Sequence, residues 1–148
     1  MFNLFRKKKD MAIKEYKRVV NYYETDKMGI THHSNYIRFM EEARVDFLDQ
    51  IGWSYAKLEA EGAISPVVNV ECNYRKPTTF SDEITIKVSI VEYSGVKVVF
   101  KYEMKNSKGD IVCDAKSIHC FINKEGKVVM VAATWPDLHK TISELVGK

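Results

Sequence analysis

The chain lacks several things that would have set its class at once. Its 148 residues contain no apolar run approaching the roughly 20 residues that a membrane span requires. Only three cysteines occur, Cys72, Cys113 and Cys120, with no CxxC pair, so neither a disulfide scaffold nor a cysteine-bound metal is indicated. An odd, unclustered set in apolar runs is expected to be reduced and buried, in a cytoplasmic setting. Seven glycines and three prolines are too few for a low-complexity or collagen-like chain. There is no Gly-rich phosphate loop and no Gly-x-Ser-x-Gly elbow, which argues against a P-loop enzyme and an α/β-hydrolase. The four histidines, His32, His33, His119 and His139, do not have the i, i+4 spacing of a helical zinc site. No metal and no cofactor are expected.

One-signed charge is also missing from the body. Residues 1–11 carry Arg6, Lys7, Lys8, Lys9 and Asp10. Removing these from totals of 23 basic and 20 acidic residues leaves 19 of each. A nucleic-acid binder carries its excess on the folded surface, so no nucleic-acid partner is expected. The tail places its cations after Phe2, Leu4 and Phe5, the reverse of a signal peptide. Residues 1–12 are expected to be a flexible basic tail, and residues 13–148 a single domain.

What is present is strong patterning. Residues 13–22 have the character of a first strand. Tyr36, Met40, Ala43, Phe47 and Ile51 recur at helical spacing, predicting a helix over 34–51 capped by Ser34 or Asn35 and ended by Gly52. A short helix follows over 54–61. Val68, Val70, Cys72 and Tyr74 then alternate with polar residues, as do Ile84 to Ile90 and Val96 to Met104. That period of two predicts antiparallel strands, each with one covered face. A further strand over 111–122 carries Cys113, Ala115 and Ser117, small enough for a helix to approach closely. Pro136 opens a last helix bearing Leu138, Ile142 and Leu145. The order predicts an α+β domain with a helix laid on one face of a sheet.

Chemistry concentrates in the fifteen residues Tyr22 to Tyr36, which join the first strand to the long helix. Asp26 stands in a polar turn, and the helix begins eight or nine residues later. Unpaired N–H groups at a helix start can polarise a carbonyl and stabilise a tetrahedral oxyanion. A carboxylate beside them can activate water or attack the carbonyl. An aspartate in a turn is ordinarily a local cap, and histidines at a helix start are ordinarily solvated or capping.

Tyr22-x-Glu24-Thr25-Asp26-x-Met28-Gly29-x-x-x-His33-x-x-Tyr36, continued by Glu41-x-Ala43-Arg44, resembles the signature of the hotdog-fold acyl-CoA thioesterases. The similar branch is that of 4-hydroxybenzoyl-CoA and Tol-Pal-associated thioesterases. Asn73 to Ile84, with its Pro77 turn, resembles a later family segment, and the likeness spans about Ile13 to Asn123. It implies a long helix wrapped by a five-stranded antiparallel sheet, and a homodimer or homotetramer with sites at the subunit interface. It implies hydrolysis of an acyl-CoA substrate with Asp26 as the catalytic carboxylate. His33 keeps the family's histidine, while His32 stands where some members have tyrosine. His33 is then expected to position substrate or water, with Tyr36 among the substrate-binding residues. Arg75, Lys76 and Lys97 are candidates for the CoA phosphates, though surface cations are common. Glu41 and Glu42 are expected to pair with Arg38 and Arg44 on the helix surface. His119 is expected to be packed or at an interface, and Trp53 and Tyr55 to serve the core or an acyl pocket. A non-catalytic acyl-CoA or acyl-carrier-protein binding module, and an acyl-ACP thioesterase, remain as alternatives.

Overall fold

The structure is a computed structural model that describes residues 12–148; all of the expected tail but Ala12 lies outside the described residues. Strand β1 (Tyr16–Val19) and a 3-10 turn (Tyr22–Glu24) lead into helix α1 (Ser34–Gln50) and short helix α2 (Tyr55–Ala60). Strands β2 (Val67–Tyr74), β3 (Glu83–Tyr93), β4 (Lys97–Lys105) and β5 (Ile111–Cys120) follow, then helices α3 (Val131–Thr134) and α4 (Pro136–Leu145). The strands form one antiparallel sheet in the order β1-β3-β4-β5-β2. This is the expected α+β arrangement, a hotdog fold with α1 lying on one sheet face.

The periodicities explain how the layers meet. Ile84, Ile86, Val88 and Ile90 on β3, and Val98, Phe100, Tyr102 and Met104 on β4, are all buried. Against them α1 buries Tyr36, Phe39, Met40, Ala43, Phe47 and Leu48, a stripe at spacings of three and four. Phe47 meets Phe100 edge to face, with ring centroids 5.9 Å apart. Leu138 and Ile142 of α4 close the far end of the core. Trp53, buried, donates its indole N–H to Thr141 Oγ1 at 3.3 Å, and so belongs to the core.

Four local expectations are corrected. The first strand is limited to Tyr16–Val19, because the chain turns at Asn21 into the 3-10 segment, whose Glu24 carboxylate accepts from the Asn21 backbone N–H at 2.8 Å. Helix α1 is capped by neither Ser34 nor Asn35. His33 is the cap, Ser34 Oγ pairs with His32 Nδ1 at 2.8 Å, and the Asn35 amide donates to the Glu24 carbonyl at 2.9 Å. Strand β2 has its apolar face only partly covered: Cys72 packs against the core, but the strand lies at the sheet edge, and Val68 is 53% and Tyr74 48% exposed. Of the cysteines, only Cys113 is buried, and Cys72 and Cys120 are half-buried. A hydrogen bond from Cys113 draws the Cys72 thiol down to about 7.

A chain of polar groups crosses the core. Arg44 donates to the Tyr102 hydroxyl at 3.0 Å, Tyr102 meets Ser117 Oγ at 2.7 Å, and Ser117 Oγ meets His119 Nε2 at 2.8 Å. Burial, then the Arg44 charge, push His119 down to about 4, against a smaller upward pull from the Ser65 backbone. In the unfolded chain it titrates near 6.5. Between those values only the unfolded state takes the proton, so stability is full above about 6.5 and is lost as pH falls towards 4. The loss attributable to this residue is about 3 kcal/mol. Urea melts at pH 7 and pH 4.5 should show it as extra acid destabilisation relative to His119→Gln. Equal acid sensitivity of the two proteins would contradict the buried neutral imidazole.

Candidate active site

The polar segment after β1 forms a tight turn around Asp26. The Gly29 backbone N–H donates to the Asp26 carbonyl at 2.9 Å, and the Met28 N–H donates to Asp26 Oδ1 at 2.8 Å. Gly29 has φ +79°, the left-handed geometry that glycine tolerates best. Asp26 N–H donates to the Ile30 carbonyl at 2.9 Å, and Thr25 bridges to Thr31. The local-cap role of the aspartate is therefore real, and it occupies one carboxylate oxygen. The other oxygen of this half-buried side chain makes no hydrogen bond among the described residues.

Two anchors hold the turn beside the start of α1. The first is Glu24, buried, whose carbonyl accepts from the His32 N–H at 2.8 Å and whose carboxylate takes Arg18 at 2.6 Å. Arg18 Nε also lies 3.1 Å from Glu42 Oε2, but without the alignment of a hydrogen bond. The second anchor is a buried hydroxyl cluster. Thr31 N–H donates to the Thr78 carbonyl at 2.8 Å, the two threonine hydroxyls meet at 2.6 Å, and Tyr36 OH meets Thr78 Oγ1 at 2.9 Å. Burial pushes the Tyr36 phenol up, so it stays protonated. Thr79 Oγ1 donates to the Gly29 carbonyl at 2.7 Å, tying the tip of the turn to the same loop. Arg18, Thr31, Thr78 and Tyr74 are site residues that the sequence did not single out. Of these, Tyr74 and Thr78 carried a signal, their place on either side of Pro77 in the second resembling segment.

At the helix start, Asn35 N–H donates to the His32 carbonyl and Tyr36 N–H to the His33 carbonyl. The His33 N–H makes no hydrogen bond among the described residues, and Ser34 N–H reaches His32 Nδ1 only at 3.3 Å. These two N–H groups are free or nearly free to meet an oxygen, at the positive end of the helix dipole. The exposed His33 ring packs 4.2 Å from His32 and 6.2 Å from Tyr74, whose hydroxyl donates to the His33 carbonyl at 3.2 Å. Tyr22, Met28 and Phe80 form an exposed apolar rim around the turn, with Tyr22 and Phe80 edge to face at 5.6 Å.

The cations lie further out. Arg75 Nε pairs with Asp114 Oδ2 at 2.6 Å, and Lys76 Nζ lies 3.3 Å from Asp110 Oδ2. The Arg75 hydrogen bond holds the Asp114 carboxyl below its usual range. Lys97 is not brought to them. It stands opposite Cys120 on β5, whereas Tyr74, beside Arg75, stands opposite Cys113, about 24 Å along the strand. Glu41 is exposed and Glu42 pairs with Arg18, so the expected pairing with Arg44 is corrected: Arg44 points into the core.

A loop carboxylate and a helix start with an unpaired N–H group, on a hotdog fold, are the parts that an acyl-transfer or thioester-hydrolysis site requires. Residues 20–140 match the Thioesterase-like superfamily, and the chain belongs to that family. It is 35% identical to YneP of Bacillus subtilis over 121 residues, which is 81% of this chain and 88% of that one. It is 27% identical to the long-chain acyl-CoA thioesterase FadM of Escherichia coli over 125 residues, 84% of this chain and 92% of that one. The structure of a DHNA-CoA thioesterase from Staphylococcus aureus superposes with a TM-score of 0.84 at 32% identity, covering 88% of this chain and 89% of that one. No helix among the described residues is long and apolar enough to cross a membrane.

Proposed function

We propose that this chain hydrolyses acyl-CoA thioesters to the free acid and CoA, with Asp26 as the catalytic carboxylate. The observation that carries the reading is the uncommitted Asp26 oxygen on a turn pinned beside the unpaired His33 N–H. As general base, Asp26 takes a proton from water as the water oxygen bonds to the thioester carbon. The oxyanion rests on the N–H groups of His33 and Ser34, and collapse breaks the C–S bond with the proton passing to the departing thiolate. As nucleophile, Asp26 would instead form a mixed anhydride that water then cleaves. The exposed His33 ring lines the approach, orienting substrate or water, while Tyr36, expected to bind substrate, is buried and supports the turn from behind through Thr78. The motif from Tyr22 to Arg44 supports the 4-hydroxybenzoyl-CoA and Tol-Pal-associated branch, and a panel of aryl and short-chain acyl-CoAs tests that finer assignment. Matched acyl-CoA and acyl-ACP substrates test the carrier: higher kcat/KM on acyl-CoA supports the reading, and preference for acyl-ACP overturns it.

Residues 13–148 act in this reading as one domain, with 1–12 as an appended tail, in the cytoplasm. Two copies pair through the edge of β2, where backbone groups without a partner strand among the described residues flank exposed Val68 and Val70. Light scattering at micromolar concentration should give a dimer or tetramer. Val68→Glu should shift it towards monomer and lower turnover in parallel. A wild-type monomer with full activity would contradict an interface site.

The nucleotide phosphates of CoA are met by Arg75 and Lys76. Lys97, at the far end of the strands, joins them only across a subunit boundary. Arg75→Ala removes a bidentate donor and frees the Asp114 charge to repel phosphate. We expect KM for acyl-CoA to rise about tenfold with kcat little changed, because the contact is the same in ground and transition states. A pantetheine thioester lacking the nucleotide should be unaffected. Equal loss on both substrates would assign Arg75 to the fold instead.

A further inference from the structure

Among the described residues, Arg44 is the one buried cation that the site does not use. The residue is 8% exposed, yet among the described residues no carboxylate lies within 4.0 Å of its guanidinium. Its partners are neutral: Nε donates to the Tyr55 hydroxyl at 3.2 Å and an η-nitrogen to the Tyr102 hydroxyl at 3.0 Å. A guanidinium has five N–H donors, so three are left over. Nothing further along the polar chain balances the charge. His119, whose Nε2 meets Ser117 Oγ at 2.8 Å, is held neutral by burial and by the Arg44 charge itself. A buried charge without a counter-charge costs several kcal/mol.

Beside the guanidinium is a cavity of about 20 Å³ between α1, α2, α4 and the sheet, walled by Leu48, Leu58, Phe121 and Ile142 with Tyr55 and Ser65 at its polar side. That is room for one or two water-sized groups. The Tyr55 oxygen accepts from Arg44, so its own hydrogen is free to donate into this space.

We propose that this cavity binds a small monovalent anion, of the size of chloride or formate, held by the Arg44 guanidinium and the Tyr55 hydroxyl. One negative charge balances one guanidinium, whereas a divalent oxyanion would bury an excess charge and exceed the volume. The apolar walls strengthen the attraction by excluding water. The site lies towards the opposite end of α1 from Asp26 and is separate from the hydrolytic site.

The test is thermal melting of the full chain at fixed ionic strength, with sodium gluconate replaced stepwise by chloride, bromide, formate or sulfate. Chloride, bromide and formate should raise Tm saturably, by about 5 °C, and sulfate should not. Tyr55→Phe should weaken the response and Arg44→Met abolish it. If Arg44→Met does not fold, anomalous diffraction from wild-type crystals grown in bromide decides. A bromide peak within hydrogen-bond distance of the guanidinium supports the site, and no peak there overturns it. A Tm rise common to all salts overturns the proposal. So does a Tm that follows protein concentration and not the anion, because a carboxylate from a second copy would then balance Arg44.

Discussion

Asp26→Asn loses about a thousandfold in kcat while melting within a degree or two of the wild type. The magnitude is that of removing a positioned general base. The unchanged fold follows from the turn. Asparagine keeps a side-chain oxygen at the Oδ1 position, so it still accepts from the Met28 N–H and holds the loop closed. What it lacks is the basicity and negative charge at the second oxygen. Thiol release measured with DTNB across an acyl-CoA panel, together with a melting curve, checks both halves. Turnover close to wild type would remove Asp26 from the mechanism, and a large drop in Tm would make its role structural.

The second large effect is on stability. Glu24→Ala should cost about 3 kcal/mol in a urea melt, because it leaves the half-buried Arg18 with only the misaligned Glu42 for a partner. It also removes the acceptor for the Asn21 N–H. Arg18 lies over the Phe39 ring, 4.0 Å from its centroid, so it cannot swing to solvent without giving up that contact. Glu24→Gln keeps an acceptor and should cost less. Turnover should fall in Glu24→Ala even below the temperature at which it unfolds, since Glu24 anchors the entry to α1. A loss below 1 kcal/mol would mean the ion pair does not hold the loop.

The architecture was legible in the sequence because period-two alternation and the stripe from Tyr36 to Ile51 are local signals, and the motif around Asp26 is local as well. What could not be read depends on contacts distant in sequence. Thr31 and Thr78 are 47 residues apart, and Arg75 and Asp114 are 39 apart. No spacing rule predicts such pairs. Arg44 looked like a surface charge because helix charges usually face water; its burial follows from the Tyr102 hydroxyl waiting on β4. The apolar face of β2 was read correctly as apolar, but its exposure follows from edge position, which depends on strand order. His33 takes the cap position because the Glu24 and Thr78 anchors set where the chain enters the helix, overriding the preference for serine or asparagine there.

The most direct test of the central claim is free-thiol release by the wild-type full chain from a broad acyl-CoA panel, read alongside calorimetric binding of the same compounds. The account predicts saturable, catalytic release of CoA, with many turnovers per chain. Binding of acyl-CoA with no thiol released above the uncatalysed rate, for every compound in the panel, would contradict it and make the chain a binding module.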